Sequence, residues 1–268
     1  MANVAKVRID VLLVERGLVA SRERARAMIL AGRVLVSEQK IDKPGATVPQ
    51  DSPVRLLGED LRYVSRGGLK LEAALAHWQI EVAGRYCLDV GASTGGFTDC
   101  LLQHGAAHVT AVDTGFGQIA MKLRNDPRVR LVERTNARFL APRALAGTGD
   151  PVLTLLAMDV SFISATLLLG PVFAAAPTLT EAVILVKPQF EVGRGNVGKG
   201  GIVRDPEMHK FAVEKVSECV ASLGWRNVET IPSPITGAEG NREFLLYARC
   251  AEPMLLEDET DHPSFYKS

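Results

Sequence analysis

The feature that most constrains this chain is an alternation. From residue 85 to residue 250, short apolar runs of strand character are separated repeatedly by stretches of helical character. Residues 86–90, 108–112, 129–132, 152–158 and 181–186 read as strands, and 94–103 and 118–124 as helices between them. Asp205-Pro206-Glu207 is a well-formed helix start, a capping side chain followed by proline at the first helical position, and that helix closes at Gly224. Residues 228–231 and 243–250 supply two last strands. Between 160 and 180 the chain carries no charge, a length that raises the question of a membrane span. Gly170, Pro171 and Pro177 interrupt it, so a buried helix followed by a turn is expected. Strands alternating with helices over this length predict an α/β fold, a doubly wound sheet that holds its ligand at the C-terminal edge of the strands.

The first quarter of the chain has a different grammar. Residues 9–16 form a short helical pattern that ends at Gly17, and Ser21 caps a second pattern through Ile29 that closes at Gly32. On this second helix Ala25, Met28 and Ile29 make an apolar stripe, while Arg22 and Arg26 lie one turn apart on another face. Residues 33–36 and 54–57 read as strands, with turn chemistry at Glu38-Gln39-Lys40 and at Lys43-Pro44-Gly45. The whole chain has no net charge, 31 basic against 31 acidic residues, but through Lys70 it holds 13 basic and 8 acidic ones, hence +5. A small, basic α+β module of helices and strands over 1–60, with Arg22, Arg26 and Arg33 facing outward, is expected to meet a polyanion. A linker at 61–67, an α/β domain at 68–251 and an acidic, loose tail at 252–268 complete the expected organisation.

The chemistry concentrates after the first strand of the larger domain, which ends in Asp89-Val90-Gly91-Ala92-Ser93-Thr94-Gly95-Gly96-Phe97. Glycines between a strand and a helix let backbone N–H groups come close to a ligand. The next strand ends at Asp113, about the separation at which an acid reaches a ribose diol. The loop departs from the dinucleotide pattern G-x-G-x-x-G, with Ser93 where the second glycine belongs. A pyrophosphate needs that glycine, whereas S-adenosylmethionine has no phosphate, so the departure tilts the reading toward a methyl donor. Four ionisable residues then fall at element edges: Lys70 at the start of the leading helix, Asp159 after one strand, Lys187 after another, and Glu243 at the opening of the last. The C-terminal ends of parallel strands share one crevice, which makes Asp159 and Lys187 neighbours. An antiparallel last strand would bring Glu243 to the same edge.

The residues that carry these features resemble a known family. Asp89 to Asp99, Ser65-Arg66-Gly67-Gly68-Leu69-Lys70-Leu71, Met158-Asp159-Val160-Ser161-Phe162-Ile163-Ser164, Leu185-Val186-Lys187-Pro188-Gln189-Phe190-Glu191-Val192-Gly193 and Gly240-Asn241-Arg242-Glu243-Phe244 look like TlyA-type RNA methyltransferases, relatives of the FtsJ (RrmJ) enzymes. The N-terminal module is similar to a small RNA-binding domain shared with pseudouridine synthases, tyrosyl-tRNA synthetases and a ribosomal small-subunit protein. The resemblance implies a Rossmann-like S-adenosylmethionine-dependent methyltransferase sheet. It also implies a Lys-Asp-Lys-Glu tetrad on Lys70, Asp159, Lys187 and Glu243, and 2′-O-methylation of cytidine in ribosomal RNA. The expected cofactor set is Asp89, Gly91, Ser93, Thr94, Gly95, Gly96, Phe97, Asp113, Asn136 and Asp159. Family members have also been described as haemolysins. The linker Leu61-Arg62-Tyr63-Val64 departs from the Arg-x-Trp-Val form of some relatives, so their linker behaviour does not carry over.

A ribose hydroxyl must lose its proton as it attacks the methyl group, and an ordinary lysine, with a pKa of about 10.4, is already protonated near neutrality. Burial and a neighbouring cation favour the neutral amine. Lys187 is the expected base, with Lys70 nearby, while Asp159 and Glu243 orient the lysines and oppose the loss of charge; the direction of the balance stays open. Electrostatic stabilisation of the developing alkoxide is the alternative role for the lysines. Arg66, beside Lys70, and Arg194 and Lys199, in the glycine-rich stretch 193–201, are further candidates for RNA backbone contacts. Cys87, Cys100, Cys219 and Cys250 show no metal-ligand spacing, so reduced thiols, no metal and a cytoplasmic address are expected. Expected partners are ribosomal RNA or ribosomal subunits, without membrane insertion. The rival readings are an NAD-dependent dehydrogenase, which Ser93 argues against, and a membrane-active haemolysin or non-catalytic RNA-binding protein, which the filled tetrad argues against.

Overall fold

A computed structural model of the chain describes residues 5–19, 21–57, 62–146, 152–237 and 239–250. The expected acidic tail lies outside them, as does residue 61 of the expected linker. The chain divides into two compact units between Leu61 and Arg62.

In the first unit, β1 (Lys6–Arg8) leads into α1 (Ile9–Glu15), and α2 (Arg22–Leu30) follows. Ser21 caps α2 as its sequence position demands, its side chain accepting from the Arg24 N–H. Then β2 (Val34–Val36) pairs antiparallel with β3 (Gln39–Ile41) and with β5 (Val54–Leu56), while β4 (Thr47–Pro49) pairs with β1. The β2–β3 reversal falls on Ser37 and Glu38, at φ 50° and 62°, one residue before the expected turn, so Gln39 and Lys40 are strand. Ile9, Leu12 and Leu13 of α1, the α2 stripe of Ala25, Met28 and Ile29, and Val34 and Val36 make one apolar core.

The second unit is built on a seven-stranded sheet. Its strands are β6 (Tyr86–Val90), β7 (His108–Val112), β8 (Val129–Val132), β9 (Leu155–Met158), β10 (Glu181–Val186), β11 (Arg226–Pro232) and β12 (Phe244–Arg249). They lie in the order β11-β12-β10-β9-β6-β7-β8. Strands β6 to β10 run parallel, and β12 inserts between β10 and β11 antiparallel to both. Alternate strand residues serve opposite layers. Leu88, Leu156, Ile184 and Leu246 face α6 (Thr166–Ala175) and α8 (Pro206–Ser222). Cys87, Leu155, Val183 and Leu245 face α3 (Gly67–His77) and α4 (Gly96–Gln103).

Several boundaries differ from the sequence reading, each for a local reason. Helix α4 begins at Gly96 rather than residue 94, because Ser93 (φ 48°) and Gly95 (φ 96°) take left-handed turns before it. The next helix, α5, is only Met121–Arg124, since Gly117 is left-handed (φ 72°) and Ala120 extended. Strand β9 starts at Leu155, where pairing with β6 and β10 begins. Helix α6 runs through Gly170 and Pro171 instead of breaking there. The four-residue helix α7 (Pro188–Glu191), which opens on a proline directly after Lys187, was not anticipated.

Candidate active site at the C-terminal edge of the sheet

Sheet topology brings the four ionisable residues to one edge. Asp159 leaves β9 and Lys187 leaves β10, two adjacent parallel strands. The antiparallel register pairs Val186 with Phe244, so Glu243 stands across from Lys187 although 56 residues separate them in the chain. Lys70, the fourth residue of α3, reaches Glu243 with an Nζ–Oε2 distance of 2.5 Å, and both side chains are buried. Lys187 Nζ lies 2.6 Å from Asp159 Oδ1. That approach is an ion pair without hydrogen-bond alignment: Oδ1 is buried and has no hydrogen-bond partner, while Lys187 donates to Ser161 Oγ at 2.7 Å. The α3 N-terminus lies against Asp159, where a side chain on Gly67 would sit 3.9 Å from Oδ2. The loop before β12 covers Glu243 so closely that a Cβ on Gly237 would fall 2.6 Å from Oε1.

Beside the pairs lies an open cleft of about 590 Å³, lined by Gly91, Ser93, Asp113, Asn136 and Asp159 of the expected cofactor set. Gly91 is left-handed (φ 87°), and any Cβ there would land on the Asp159 carbonyl, so only glycine lets β6 leave the sheet at this point. Asp113 is fixed by two backbone donors, the Ser93 N–H at 2.8 Å and the Gly115 N–H at 2.6 Å. Asn136 lines the cleft while its side chain also accepts from the Arg138 N–H at 3.0 Å. Asp89 lies beneath, fully buried: Thr98 donates to Oδ2 at 2.6 Å, and Oδ1 has no partner. Burial, and then the charges of Asp159 and Asp113, push the Asp89 carboxyl up to about 7, against the Thr98 hydrogen bond.

Thr94, Gly95, Gly96 and Phe97 do not line the cleft. Gly95 gives α4 its left-handed start beneath Ile119 and Leu123, Gly96 lets Ser65 and the α3 backbone pack closely, Phe97 is buried, and the Thr94 carbonyl accepts from Ala120 N–H. The glycine run therefore builds the helix packing behind the cleft as well as its floor.

The arginines are also sorted by their partners. Arg66 is exposed, and its Nη2 donates to the Thr236 carbonyl at 3.1 Å, tying α3 to the loop before β12. Arg194 and Lys199 are exposed in two short 3-10 turns, Arg194–Asn196 and Lys199–Gly201. In the first unit Arg26 is exposed, and Arg33 donates to the Leu57 carbonyl at 2.9 Å. Arg22 meets Asp10 at 3.1 Å, which Arg8 also grips through two bonds of 2.9 Å. These arginines hold the buried Asp10 carboxyl down at about 2, the Arg8 hydrogen bond contributing most. The sequence reading missed Arg8 and Asp10, though their i,i+2 spacing at a helix start was visible, and it missed the contact role of Ser161.

A doubly wound sheet with one antiparallel strand, a glycine turn after its first strand and an acid after its second is the architecture of enzymes that hold a nucleoside-bearing ligand at the strand ends. Residues 63–250 match the family described as FtsJ-like methyltransferase and residues 7–52 match the S4 domain; this chain belongs to the FtsJ-like methyltransferase family and carries an S4 domain before it. It is 46% identical over 245 residues, 91% of this chain and 90% of the relative, to the 16S/23S rRNA (cytidine-2′-O)-methyltransferase TlyA of Mycobacterium tuberculosis. It is 48% identical over 242 residues, 90% of this chain and 85% of the relative, to YqxC of Bacillus subtilis, provisionally named an rRNA methyltransferase. A solved Streptococcus thermophilus structure, provisionally named a hemolysin, superposes with a TM-score of 0.69 at 42% identity, covering 93% of this chain and 90% of that one. Among the described residues no helix is long and apolar enough to cross a membrane.

Proposed function

We propose that this protein transfers the methyl group of S-adenosylmethionine to the ribose 2′-hydroxyl of a cytidine in ribosomal RNA, in the cytoplasm, on free RNA or an assembled subunit. The observation that carries the reading is the meeting of two lysine–carboxylate pairs, Lys70–Glu243 and Lys187–Asp159, beside an open cleft. The reactions of the relatives support the acceptor.

The cleft fits the methyl donor. Asp113, held by two backbone N–H groups, keeps lone pairs for a ribose diol. The buried, unpartnered Oδ1 of Asp89 suits the ammonium of an amino-acid moiety, while Asp159 Oδ1 is held by Lys187. Gly91, Ser93 and Asn136 would complete the holding set. What S-adenosylmethionine supplies when bound is a methyl group activated on a sulfonium, so the protein has only to place the acceptor and remove its proton.

Lys187 takes that proton from the 2′-hydroxyl, and Asp159 balances the ammonium that results. Lys70, fixed by Glu243, directs positive charge at the oxygen as its negative charge develops. Arg22, Arg26 and Arg33 of the S4 domain, with Arg194 and Lys199, supply phosphate contacts that position the RNA. Arg66 acts by holding the loop over Glu243.

The test is transfer from labelled S-adenosylmethionine into total ribosomal RNA and subunits by wild type and Lys187→Ala. Label from wild type alone, alkali-stable at a 2′-O position, is expected, with cofactor affinity retained in the variant. Equal labelling by the variant would overturn the role of Lys187, and no labelling of any RNA form by cofactor-bound wild type would overturn the acceptor.

A further inference from the structure

We propose that Ser161 is a positioning residue for Lys187: its hydroxyl takes the one directional hydrogen bond of the amine and thereby aims the nitrogen at the acceptor. The proposal rests on the reading of Lys187 as the group that receives the acceptor's proton.

The geometry separates two contacts that are nearly equal in length. Lys187 Nζ is 2.6 Å from Asp159 Oδ1 and 2.7 Å from Ser161 Oγ, but only the second is a hydrogen bond. An ion pair attracts without fixing direction, whereas a hydrogen bond weakens steeply as its angle closes. The carboxylate therefore sets the distance of the amine, and the serine sets where its remaining positions point. Ser161 is exposed and lines the cleft, so the aim is set from the ligand side rather than from the core. A serine hydroxyl accepts from the amine whether or not that nitrogen holds the extra proton, so the bond persists as the proton arrives.

Such an acceptor works only if its own loop is held. The turn between β9 and α6 passes through Phe162 in the left-handed region (φ 66°), a conformation that a bulky residue keeps only when its surroundings impose it. Glu191 imposes it. Its Oε1 accepts from the Ala165 N–H at 2.7 Å and its Oε2 from the Ser164 hydroxyl at 2.5 Å. Lys215 closes the clamp, 3.2 Å from Oε2 and 2.8 Å from the Glu191 carbonyl. Glu191 ends α7, the short helix that starts at the residue after Lys187. Amine and acceptor are thus fixed by the two ends of one rigid turn: Lys187 leads into it, and the carboxylate at its far end grips the loop bearing Ser161.

The experiment compares wild type, Ser161→Ala, Ser161→Thr and Glu191→Gln as full chains, with S-adenosylmethionine and whichever ribosomal RNA form the wild type methylates. Ser161→Ala should lower kcat about 10–100-fold, the range for loss of a partner that orients a reactive ligand, with KM for RNA, cofactor Kd and thermal midpoint unchanged. Ser161→Thr keeps the hydroxyl at an exposed site and should recover most of the rate. Glu191→Gln should lower kcat in the same way, with a lower thermal midpoint. The proposal is overturned if Ser161→Ala turns over like wild type, if its loss appears in KM alone, or if Ser161→Thr is as slow as Ser161→Ala. Wild type that methylates no RNA would instead overturn the reading of the acceptor, and the two failures are therefore distinct.

Discussion

The Lys70–Glu243 pair makes a prediction whose size follows from its burial. The two side chains are 9% and 3% exposed and 2.5 Å apart. Removing one partner of such a pair leaves a buried charge uncompensated, at a cost of about 3–5 kcal/mol. In Lys70→Met the glutamate is left without its ammonium, and in Glu243→Gln the lysine without its carboxylate, so each single variant should be destabilised by about that amount. The double variant has no charge to bury and should be less destabilised than the sum of the two. Denaturant unfolding followed by tryptophan fluorescence isolates the relevant unit, since Trp78 and Trp225 both lie in it. Single variants within about 1 kcal/mol of wild type, or strict additivity in the double variant, would refute the reasoning.

Two further predictions concern the cleft and the S4 domain. Burial pushes the Asp89 carboxyl up to about 7, so with Asp89 receiving the cofactor ammonium, affinity should fall as pH falls, by up to about tenfold per unit below that value; calorimetric titration across this range would show a flat Kd if the assignment is wrong. Arg26→Gln should reduce the slope of log Kd for RNA against log salt by about 0.7–0.9 with no loss of stability. Arg22→Gln should reduce the slope likewise and also lower stability, because the buried Asp10 carboxylate loses one of its two arginine partners; equal thermal midpoints for the two variants would contradict the shared role of Asp10.

What was legible in the sequence follows what the physics makes local. The strands Tyr86–Val90, His108–Val112 and Glu181–Val186 could be bounded from their apolar runs, because each is buried by helices on the faces of the sheet, and the edge strand Val129–Val132 from apolar residues that are partly buried there. The Ser21 and Asp205 caps could be read because a cap is decided within three residues. Boundaries failed where the decision came from elsewhere in the chain. The run from Val152 reads as strand throughout, but the paired register with β6 and β10 starts only at Leu155, a limit set by where those two strands begin. Side-chain pairing was less legible still. The shared crevice made Asp159 and Lys187 neighbours, but that Lys70 would take Glu243, and that Lys187 would have Ser161 as its directional partner, depends on fractions of an ångström that no spacing encodes.

One topological choice gives those pairings a common cause. Were β12 parallel to its neighbours, Glu243 would sit at the opposite edge of the sheet, a strand's length from Lys187, and Lys70 would have no acid to meet. The antiparallel insertion places the start of the last strand beside the ends of β9 and β10. It also lets the preceding loop fold over the carboxylate through Gly237 and Asn241, whose buried side chain donates to the Gly201 carbonyl at 2.8 Å and accepts from Val203 N–H at 3.0 Å. The glycine-rich segment bearing Lys199 is therefore anchored to the same loop that closes over Glu243. A substrate contact made by that segment acts on a scaffold continuous with the charged pairs. Asn241→Ala would for this reason loosen both the segment and the cover over Glu243, although Asn241 itself touches neither lysine of the candidate site.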